Sequence, residues 1–210
     1  NRSHTLIQHF NSKGLSNIAV KDITRKKRIV SQLNAKKELT INDVSESLNV
    51  SVPKASELIN SLVKDGFIKE NGKRSVGKGR NASFYSLRGD GCYFLGVEIK
   101  KYKINLGIMG FDKGIIQSKI DIPFLYQEAR ESLTEIVSII KDFLNEIKIE
   151  RDKISGIGVS VAGRINVRTG EILTIYHFGD APIKAVLEEE FGMPVFIDND
   201  SRTIAYGEFH

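Results

Sequence analysis

The pattern of apolar positions between residues 23 and 64 predicts three short amphipathic helices. Ile29, Val30 and Leu33 mark one face of the first helix. Thr40 can cap the second helix, and Asp43, three residues later, completes a capping box. In the third helix, apolar residues recur at spacings of three and four from residue 55 to residue 63, which is the pattern of a single buried stripe.

Two short strands with a basic loop between them follow these helices. Residues 67–70 and 83–87 are typical of strands, and residues 71–81 contain three glycines and four cations. Glycine lets a backbone approach a phosphate closely, and cations replace the counterions of DNA. Three helices followed by a two-stranded wing predict a winged helix-turn-helix, a fold that favours DNA binding. A winged helix that binds only protein is the alternative.

The third helix is expected to read base edges in the major groove, and the wing to contact phosphates or the minor groove. Ser51 is the predicted N-cap of that helix, and Pro53 lies in its first turn, where a missing N–H costs little. The candidate DNA-binding residues are Ser51, Lys54, Glu57, Asn60 and Ser61 in the helix, and Lys73, Arg74, Lys78 and Arg80 in the wing.

Charge is distributed unevenly along the 210 residues, of which 40% are hydrophobic and 27% charged. Residues 1–90 carry 17 Lys and Arg against 8 Asp and Glu, whereas residues 91–210 carry 14 against 18. A basic half joined to an acidic half indicates a nucleic-acid module attached to another domain, although a solvated basic surface would look similar. The single cysteine, Cys92, excludes a disulfide scaffold. We expect a cytoplasmic protein, because no apolar run is long enough to span a membrane and no signal-peptide core is present.

The second half of the chain alternates apolar strands with helices, which predicts an α/β domain with a mixed sheet and helices covering it. We expect an arm over residues 1–22, the winged helix over 23–90 and the α/β domain over 91–210. The strands are predicted at 93–99, 103–109, 115–120, 154–161 and 195–197, and the helices at 133–147, 183–191 and 201–209. In such sheets ligands bind at the carboxyl ends of strands, where Gly163 and the pair Asn199–Asp200 fall.

Three segments of this half carry a family resemblance: FLGVEIKKYKINLGI, ISGIGVSVAGRINVRTGEI and APIKAVLEEEFGMPVFIDNDSRTIAYGE. They resemble the first lobe of the ROK family (repressors, open reading frames and sugar kinases), which implies an actin-like or ribonuclease-H-like fold. The winged helix, with GKGR in its wing, is similar to the DNA-binding domain of ROK repressors, which the kinases lack. Together the resemblance covers residues 23–210.

A departure from the family's pattern argues against kinase activity. In ROK kinases the first strand leads into an Asp-x-Gly-Gly-Thr loop that holds ATP phosphates, whereas here Glu98, Lys100, Lys101 and Tyr102 occupy that turn. Without glycine, the backbone N–H groups cannot approach a phosphate closely. Lys100 and Lys101 could attract an anion, but they are more simply interpreted as exposed hairpin charges.

The resemblance also implies a sugar site at Gly163, Asn199 and Asp200. Asn199–Asp200 matches the pair that binds sugar hydroxyls in the family, and Gly163 matches a turn near the sugar, although Ala162 replaces the usual proline. A carboxylate beside an amide suits hydroxyl groups, because the amide both donates and accepts. The alternative is that these residues only cap the next helix. Arg202 stands where the family usually has Asn, which leaves the identity of the sugar open.

The combined expectation is a ROK-type transcriptional regulator, most simply a repressor, whose operator binding responds to a sugar or sugar phosphate. The expected partners are a double-stranded operator and further copies of the chain, as a homodimer or a dimer of dimers. No cofactor is expected in this chain, because the family's zinc motif lies in a second lobe that we expect to be missing here, through truncation of the sequence or of the natural protein. The alternatives are a sugar kinase with an N-terminal extension and a DNA-binding protein with a vestigial sugar domain.

Overall fold

The computed structural model describes residues 10, 16–76, 81–127, 129–173 and 182–209. The chain divides into two compact units. The first unit comprises residues 1–92 and 110–113, and the second comprises residues 93–109 and 114–210.

The first unit contains the three predicted helices, α1 (Asn17–Lys36), α2 (Ile41–Leu48) and α3 (Val52–Lys64). The expected arm over residues 1–22 is wrong at its end, because residues 17–22 belong to α1. Ser16 begins this helix as its N-cap, with its hydroxyl accepting a hydrogen bond from the backbone N of Ala19 at 3.4 Å. The buried faces of the helices form one core, which consists of Ile29, Leu33, Val44, Leu48, Ala55, Leu58, Ile59 and Leu62.

A three-stranded sheet completes this unit, with strands β1 (Leu39–Thr40), β2 (Ile68–Ser75) and β3 (Asn81–Leu87) in the order β1-β3-β2. The short strand β1 was not predicted. The predicted loop at 71–81 was too long, because β2 continues to Ser75 and pairs there with Asn81. The residues between the two wing strands are therefore few.

The second unit is built on a five-stranded mixed sheet. The strands are β4 (Tyr93–Ile99), β5 (Lys103–Gly110), β6 (Ile115–Pro123), β7 (Ile154–Val161) and β10 (Val195–Asn199). Their order in the sheet is β10-β7-β4-β5-β6. Strand β7 runs parallel to both β4 and β10, and β5 is antiparallel to β6. The α/β class predicted for this half is confirmed.

The described residues of this unit form the helices α4 (Ala129–Glu146), α5 (Ile183–Phe191) and α6 (Asp200–Phe209) and a 3₁₀ turn at Arg151–Lys153. Ile136, Ile140 and Phe143 of α4 are fully buried and share one apolar cluster with Leu187 of α5 and the strand side chains. A small hairpin, β8 (Ile165–Asn166) with β9 (Glu171–Ile172), follows β7 and was not predicted.

Candidate nucleic-acid interface and sugar site

Local caps fix the start of α2 and both ends of the turn that joins α2 to α3. Thr40 Oγ1 accepts from the backbone N of Asp43 at 3.2 Å, and Asp43 Oδ2 accepts from the backbone N of Thr40 at 2.7 Å, so the predicted capping box is present. Asn49 ends α2 in the left-handed conformation, with φ at 51°. Ser51 then begins α3, its hydroxyl accepting from the backbone N of Lys54 at 3.4 Å. The geometry of a helix-turn-helix follows from these caps.

The candidate base-reading residues of α3 differ in exposure and in whether their side chains are hydrogen-bonded to another helix. Glu57 and Asn60 are exposed on the outer face of the helix. Ser61 is half-buried, because its hydroxyl accepts from Lys26 Nζ of α1 at 2.6 Å and donates to Asp65 Oδ2 at 3.2 Å. Ser61 therefore helps to join α3 to α1, a role that the helical pattern of the sequence did not indicate.

Lys54 is held by two carboxylates. Its Nζ lies 2.8 Å from Asp22 Oδ2 of α1 and 2.9 Å from Glu57 Oε1. Hydrogen bonds to Asp22 and then Glu57 raise the pKa of Lys54 above its usual value. Burial raises the pKa of Asp22, but hydrogen bonds from Lys54 and Arg25 outweigh burial, so that the pKa of Asp22 lies below its usual value. Lys54 is therefore a fixed cation at the start of α3.

The wing cations also fall into two groups. Lys73 lies in β2, is exposed, and makes no ion pair within the part of the chain that the structure describes. Arg74, its neighbour, places Nη2 2.6 Å from Glu38 Oε2 and its guanidinium carbon 4.0 Å from the centre of the Phe84 ring. Lys78 and Arg80 lie outside the described residues.

The predicted sugar site brings Gly163 and Asn199 together. Asn199 ends β10 beside Val161, the last residue of β7, so both strands end at the same edge of the sheet. Asn199 Nδ2 donates to the carbonyl of Gly163 at 2.8 Å. The φ of Gly163 is 119°, a value that favours glycine. The strand-end rule thus placed two residues correctly that are 36 positions apart in the chain.

The same side chains also cap α6. Asn199 Oδ1 accepts from the backbone N of Ser201 at 2.9 Å and of Arg202 at 3.4 Å. Asp200 is half-buried as the first residue of α6, and its Oδ1 also accepts from the backbone N of Ser201, at 2.7 Å. Capping leaves the second N–H of the Asn199 amide and one carboxylate oxygen of Asp200 as groups that could meet a hydroxyl.

Arg202 is paired within the same edge of the sheet. Its Nη2 lies 2.6 Å from Oδ1 of Asp198, which is four residues earlier, in β10. Both side chains line an apolar groove of about 910 Å³ on the face of the sheet opposite the α4–α5 cluster. The lining of that groove includes Gly96, Gly107 and Gly158 but not Gly163, Asn199 or Asp200. Apolar walls with few polar groups do not suit a sugar.

The turn after β4 carries bulky charged side chains. Lys100 N donates to the carbonyl of Lys103 at 2.9 Å, which closes the turn. Lys100 Nζ lies 3.1 Å from Glu98 Oε1, and Lys101 Nζ lies 4.9 Å from the centre of the Tyr102 ring. These contacts are those of a charged surface hairpin.

The described part of the chain contains neither a cluster of metal ligands nor a membrane-spanning helix. Across those residues, His, Cys, Asp and Glu side chains do not gather in any group of three or more that could hold a metal ion. Among those same residues, no helix combines the length and apolar character required to cross a membrane.

Each of the two units matches a known protein family. The ROK family profile matches residues 94–210, and the profile described as winged helix-turn-helix DNA-binding matches residues 24–69. The chain belongs to the ROK family. It is 22% identical over 208 residues to the xylose repressor of Caldicellulosiruptor bescii, covering 98% of this chain and 49% of that protein. It is 30% identical over 119 residues to a glucokinase of Halalkalibacterium halodurans, covering 55% of this chain and 36% of that protein.

A solved structure supports the same fold. The crystal structure of a ROK family transcriptional regulator, a homologue of the Escherichia coli Mlc protein, superposes with a TM-score of 0.68 at 18% identity. The match covers 89% of this chain and 47% of that one. The chain thus spans about half the length of the relatives it matches, and it contains both the winged helix and the first part of the ROK domain.

Proposed function

We propose that this protein is a transcriptional regulator, most simply a repressor, that binds double-stranded DNA through the winged helix of residues 17–90. The observation that carries the proposal is the capped helix-turn-helix, with Glu57 and Asn60 exposed on α3. The basic character of residues 1–90 supports it, because cations supply the sequence-independent part of DNA affinity. Because a regulator has to reach its operator, we propose that the protein works in the cytoplasm. We also propose that it binds as a homodimer, since dimers of helix-turn-helix proteins bind two half-sites related by two-fold symmetry.

The proposed roles follow from exposure and pairing. Glu57 and Asn60 read base edges, Lys54 contacts the DNA from the start of α3, and Lys73 contacts a phosphate. Lys78 and Arg80 remain predicted wing contacts. Ser51 and Ser61 act through the protein, Ser51 as the cap of α3 and Ser61 as a link to α1.

We propose that the effector is a sugar or sugar phosphate bound near Gly163, Asn199 and Asp200. The amide and carboxylate at the ends of β7 and β10 support this proposal, since they can both accept from and donate to hydroxyls. The relatives named xylose repressor make xylose the first sugar to test. Binding of the effector would shift the population between DNA-bound and released states, and any zinc site would lie outside this sequence.

The enzyme alternative is a sugar kinase, and the glucokinase relative keeps it open. The charged side chains in the turn after β4 favour a regulator, because they leave no glycine there for close backbone contact with phosphates. Phosphoryl transfer from ATP to a sugar by the full-length protein would support the kinase instead.

The test is fluorescence anisotropy of the 210-residue chain with a duplex of about 30 base pairs, selected against this chain from a random pool. Lys73→Gln should lower the slope of log affinity against log salt by about 0.9, the value for one lost phosphate contact. The matched control is Lys148→Gln, which removes an exposed cation from the second unit and should leave the slope unchanged.

Asn60→Ala should instead lower the preference for the selected duplex over a scrambled one by about 5- to 150-fold, with little change in slope. Equal slopes for the wild type and Lys73→Gln, together with equal preference for the wild type and Asn60→Ala, would contradict the assigned roles. A duplex that dissociates when xylose is added would support the effector proposal; sugar binding with no effect on affinity would refute it.

A further inference from the structure

One carboxylate joins the start of the wing to the helical part of the first unit. Glu38 lies between α1 and β1, and both of its oxygens accept hydrogen bonds from β2. Asn71 Nδ2 donates to Oε1 at 2.8 Å, and Arg74 Nη2 donates to Oε2 at 2.6 Å. Two hydrogen bonds to one carboxylate fix β2 in direction as well as in distance.

One donor, Asn71, lies within a bulge of β2, and the other, Arg74, lies just after it. The register of β2 against β3 shifts between Glu70 and Lys73, and Gly72 within this stretch has a φ of 86°. A bulge bends its strand and increases the local twist, so it determines where the rest of the wing points. Glu38 therefore spans the position at which the wing changes direction.

Both donors are also held from β3. Asn71 Nδ2 donates to Ser86 Oγ at 2.9 Å, and the guanidinium of Arg74 stacks on Phe84 at 4.0 Å. Hydrogen bonds from Arg74 and then Asn71 keep the pKa of Glu38 below its usual value, so the carboxylate is charged at neutral pH. Arg74 is thus bound on one face and at one end by the protein itself.

Lys73 is adjacent in sequence but points into solvent. Successive side chains of a strand alternate between the two faces, which places Lys73 and Arg74 on opposite sides of β2. The exposed Lys73 forms no ion pair with a described residue, whereas Arg74 is engaged by Glu38 and Phe84.

We propose that Glu38 is a positioning residue for DNA binding: it clamps β2 across the bulge through Asn71 and Arg74 and so aims the wing at the DNA. In this arrangement Arg74 orients the wing, and Lys73 makes the phosphate contact. The inference rests on the proposed function.

The direction in which DNA affinity changes when Glu38 is neutralised distinguishes a positioning residue from one with no role in DNA binding. A carboxylate near DNA repels phosphates, so removing its charge should tighten binding if nothing else changes. Under the proposal, Glu38→Gln weakens binding, because the wing loses its direction and with it about one phosphate contact. One contact corresponds to about 0.9 in salt slope and to about a fivefold loss of affinity at 0.15 M salt.

The experiment measures anisotropy of the full chain on the selected duplex over a series of salt concentrations. Glu38→Gln should bind about fivefold more weakly with a shallower slope. The control, Glu46→Gln, neutralises an exposed acid of α2 and should bind as well as or slightly better than the wild type. Equal or tighter binding by Glu38→Gln would overturn the proposal.

Arg74→Lys supplies a second test, since it keeps the charge but lacks the planar fork. We expect it to weaken binding about as much as Glu38→Gln, and the double variant to be no weaker than either single variant. Losses that add in the double variant would show that Arg74 contacts DNA independently of Glu38, and would overturn the proposal.

Hydrogen exchange of the free proteins keeps the inference separate from the proposed function. Faster exchange in residues 68–75 of Glu38→Gln, with α3 unchanged, is expected if the clamp holds the wing. Unchanged exchange there would overturn the clamp. If the wild-type chain bound no duplex, the proposed function would fail, whereas the exchange comparison would still decide whether Glu38 holds the wing.

Discussion

Asp22→Asn should lower the stability of the first unit and raise its affinity for DNA. Asp22 Oδ2 lies 2.8 Å from Lys54 Nζ, and Asp22 Oδ1 lies 3.1 Å from Arg25 Nη1. The carboxylate therefore competes with DNA for a cation at the start of α3. Asn keeps the size of the side chain and removes only its charge.

The magnitude follows from the burial of the pair. The side chains of Lys54 and Asp22 are 26% and 23% exposed, and a partly exposed ion pair contributes about 0.5–1 kcal/mol. We expect the first unit to lose that amount at pH 7. Of its ion pairs with described residues, Lys54 would keep only that with Glu57, at 2.9 Å. Releasing it from Asp22 should return at most a similar amount to binding, which corresponds to an affinity gain of up to about two- to fivefold.

The pH dependence has a definite sign. Because the pKa of Asp22 is lower in the folded protein than in the unfolded chain, its contribution is present above the unfolded pKa and is lost as pH falls through the folded pKa. The stability difference between the wild type and Asp22→Asn should therefore be constant near neutrality and shrink in acid.

Two measurements are needed. Urea unfolding, monitored by hydrogen exchange in α1 and α3, measures the stability of the first unit. Anisotropy on the selected duplex measures DNA affinity. Asp142→Asn, an exposed acid of α4, is the matched control and should change neither stability nor DNA affinity measurably. Weaker DNA binding by Asp22→Asn would refute the reasoning, because it would mean that Asp22 orients Lys54 for the DNA and does not compete with it. Glu38→Gln is expected to have the opposite effect on DNA affinity, because Arg74, the cation that Glu38 holds, is proposed to act within the wing.

Two further predictions concern the caps. Thr40→Val removes the hydroxyl of a residue that is 6% exposed and should cost the first unit about 1 kcal/mol, seen as faster hydrogen exchange in α2 with the second unit unaffected. Asn199→Ala removes both the cap of α6 and the link to Gly163, and should cost the second unit about 1–2 kcal/mol in urea unfolding. Unchanged exchange in α2, or an unchanged urea midpoint for the second unit, would contradict the respective cap.

Features set by neighbouring residues could be predicted from the sequence. The capping box of Thr40 and Asp43 and the cap at Ser51 were both predicted, because each joins groups three positions apart. The start of α1 has the same kind of signal in Ser16, but the weak apolar periodicity of the first 20 residues concealed it.

Features that join distant segments could not be predicted. Strand β1 has only two residues and pairs with β3, whose Phe84 and Tyr85 lie more than 40 positions later. The ion pair of Glu38 with Arg74 spans 36 positions, and the hydrogen bond of Lys26 to Ser61 spans 35. A helical or strand pattern indicates which side chains face outward, but it does not indicate which of them a neighbouring element then uses.

The sugar site lies between these cases. The sequence predicted that Gly163 and Asn199 fall at the carboxyl ends of strands, and the structure joins the two by a hydrogen bond. Capping of α6 was one of the two alternatives that the sequence left open for these residues, but nothing in the sequence showed that the amide that caps α6 would also hold Gly163. Capping uses the oxygen of that amide, and the link to Gly163 uses one of its two hydrogens. The second hydrogen is left for the proposed sugar contact, so the two interpretations are compatible.

The most direct measurement is the affinity of the wild-type chain for the DNA upstream of its own gene and for a scrambled duplex of the same composition, each at several salt concentrations. If residues 17–90 are a sequence-specific DNA-binding domain, the chain binds the upstream DNA more tightly than the scrambled duplex, and its affinity for both falls steeply as salt rises. Absence of binding to either duplex at low salt would contradict the assignment of residues 17–90 as a DNA-binding domain.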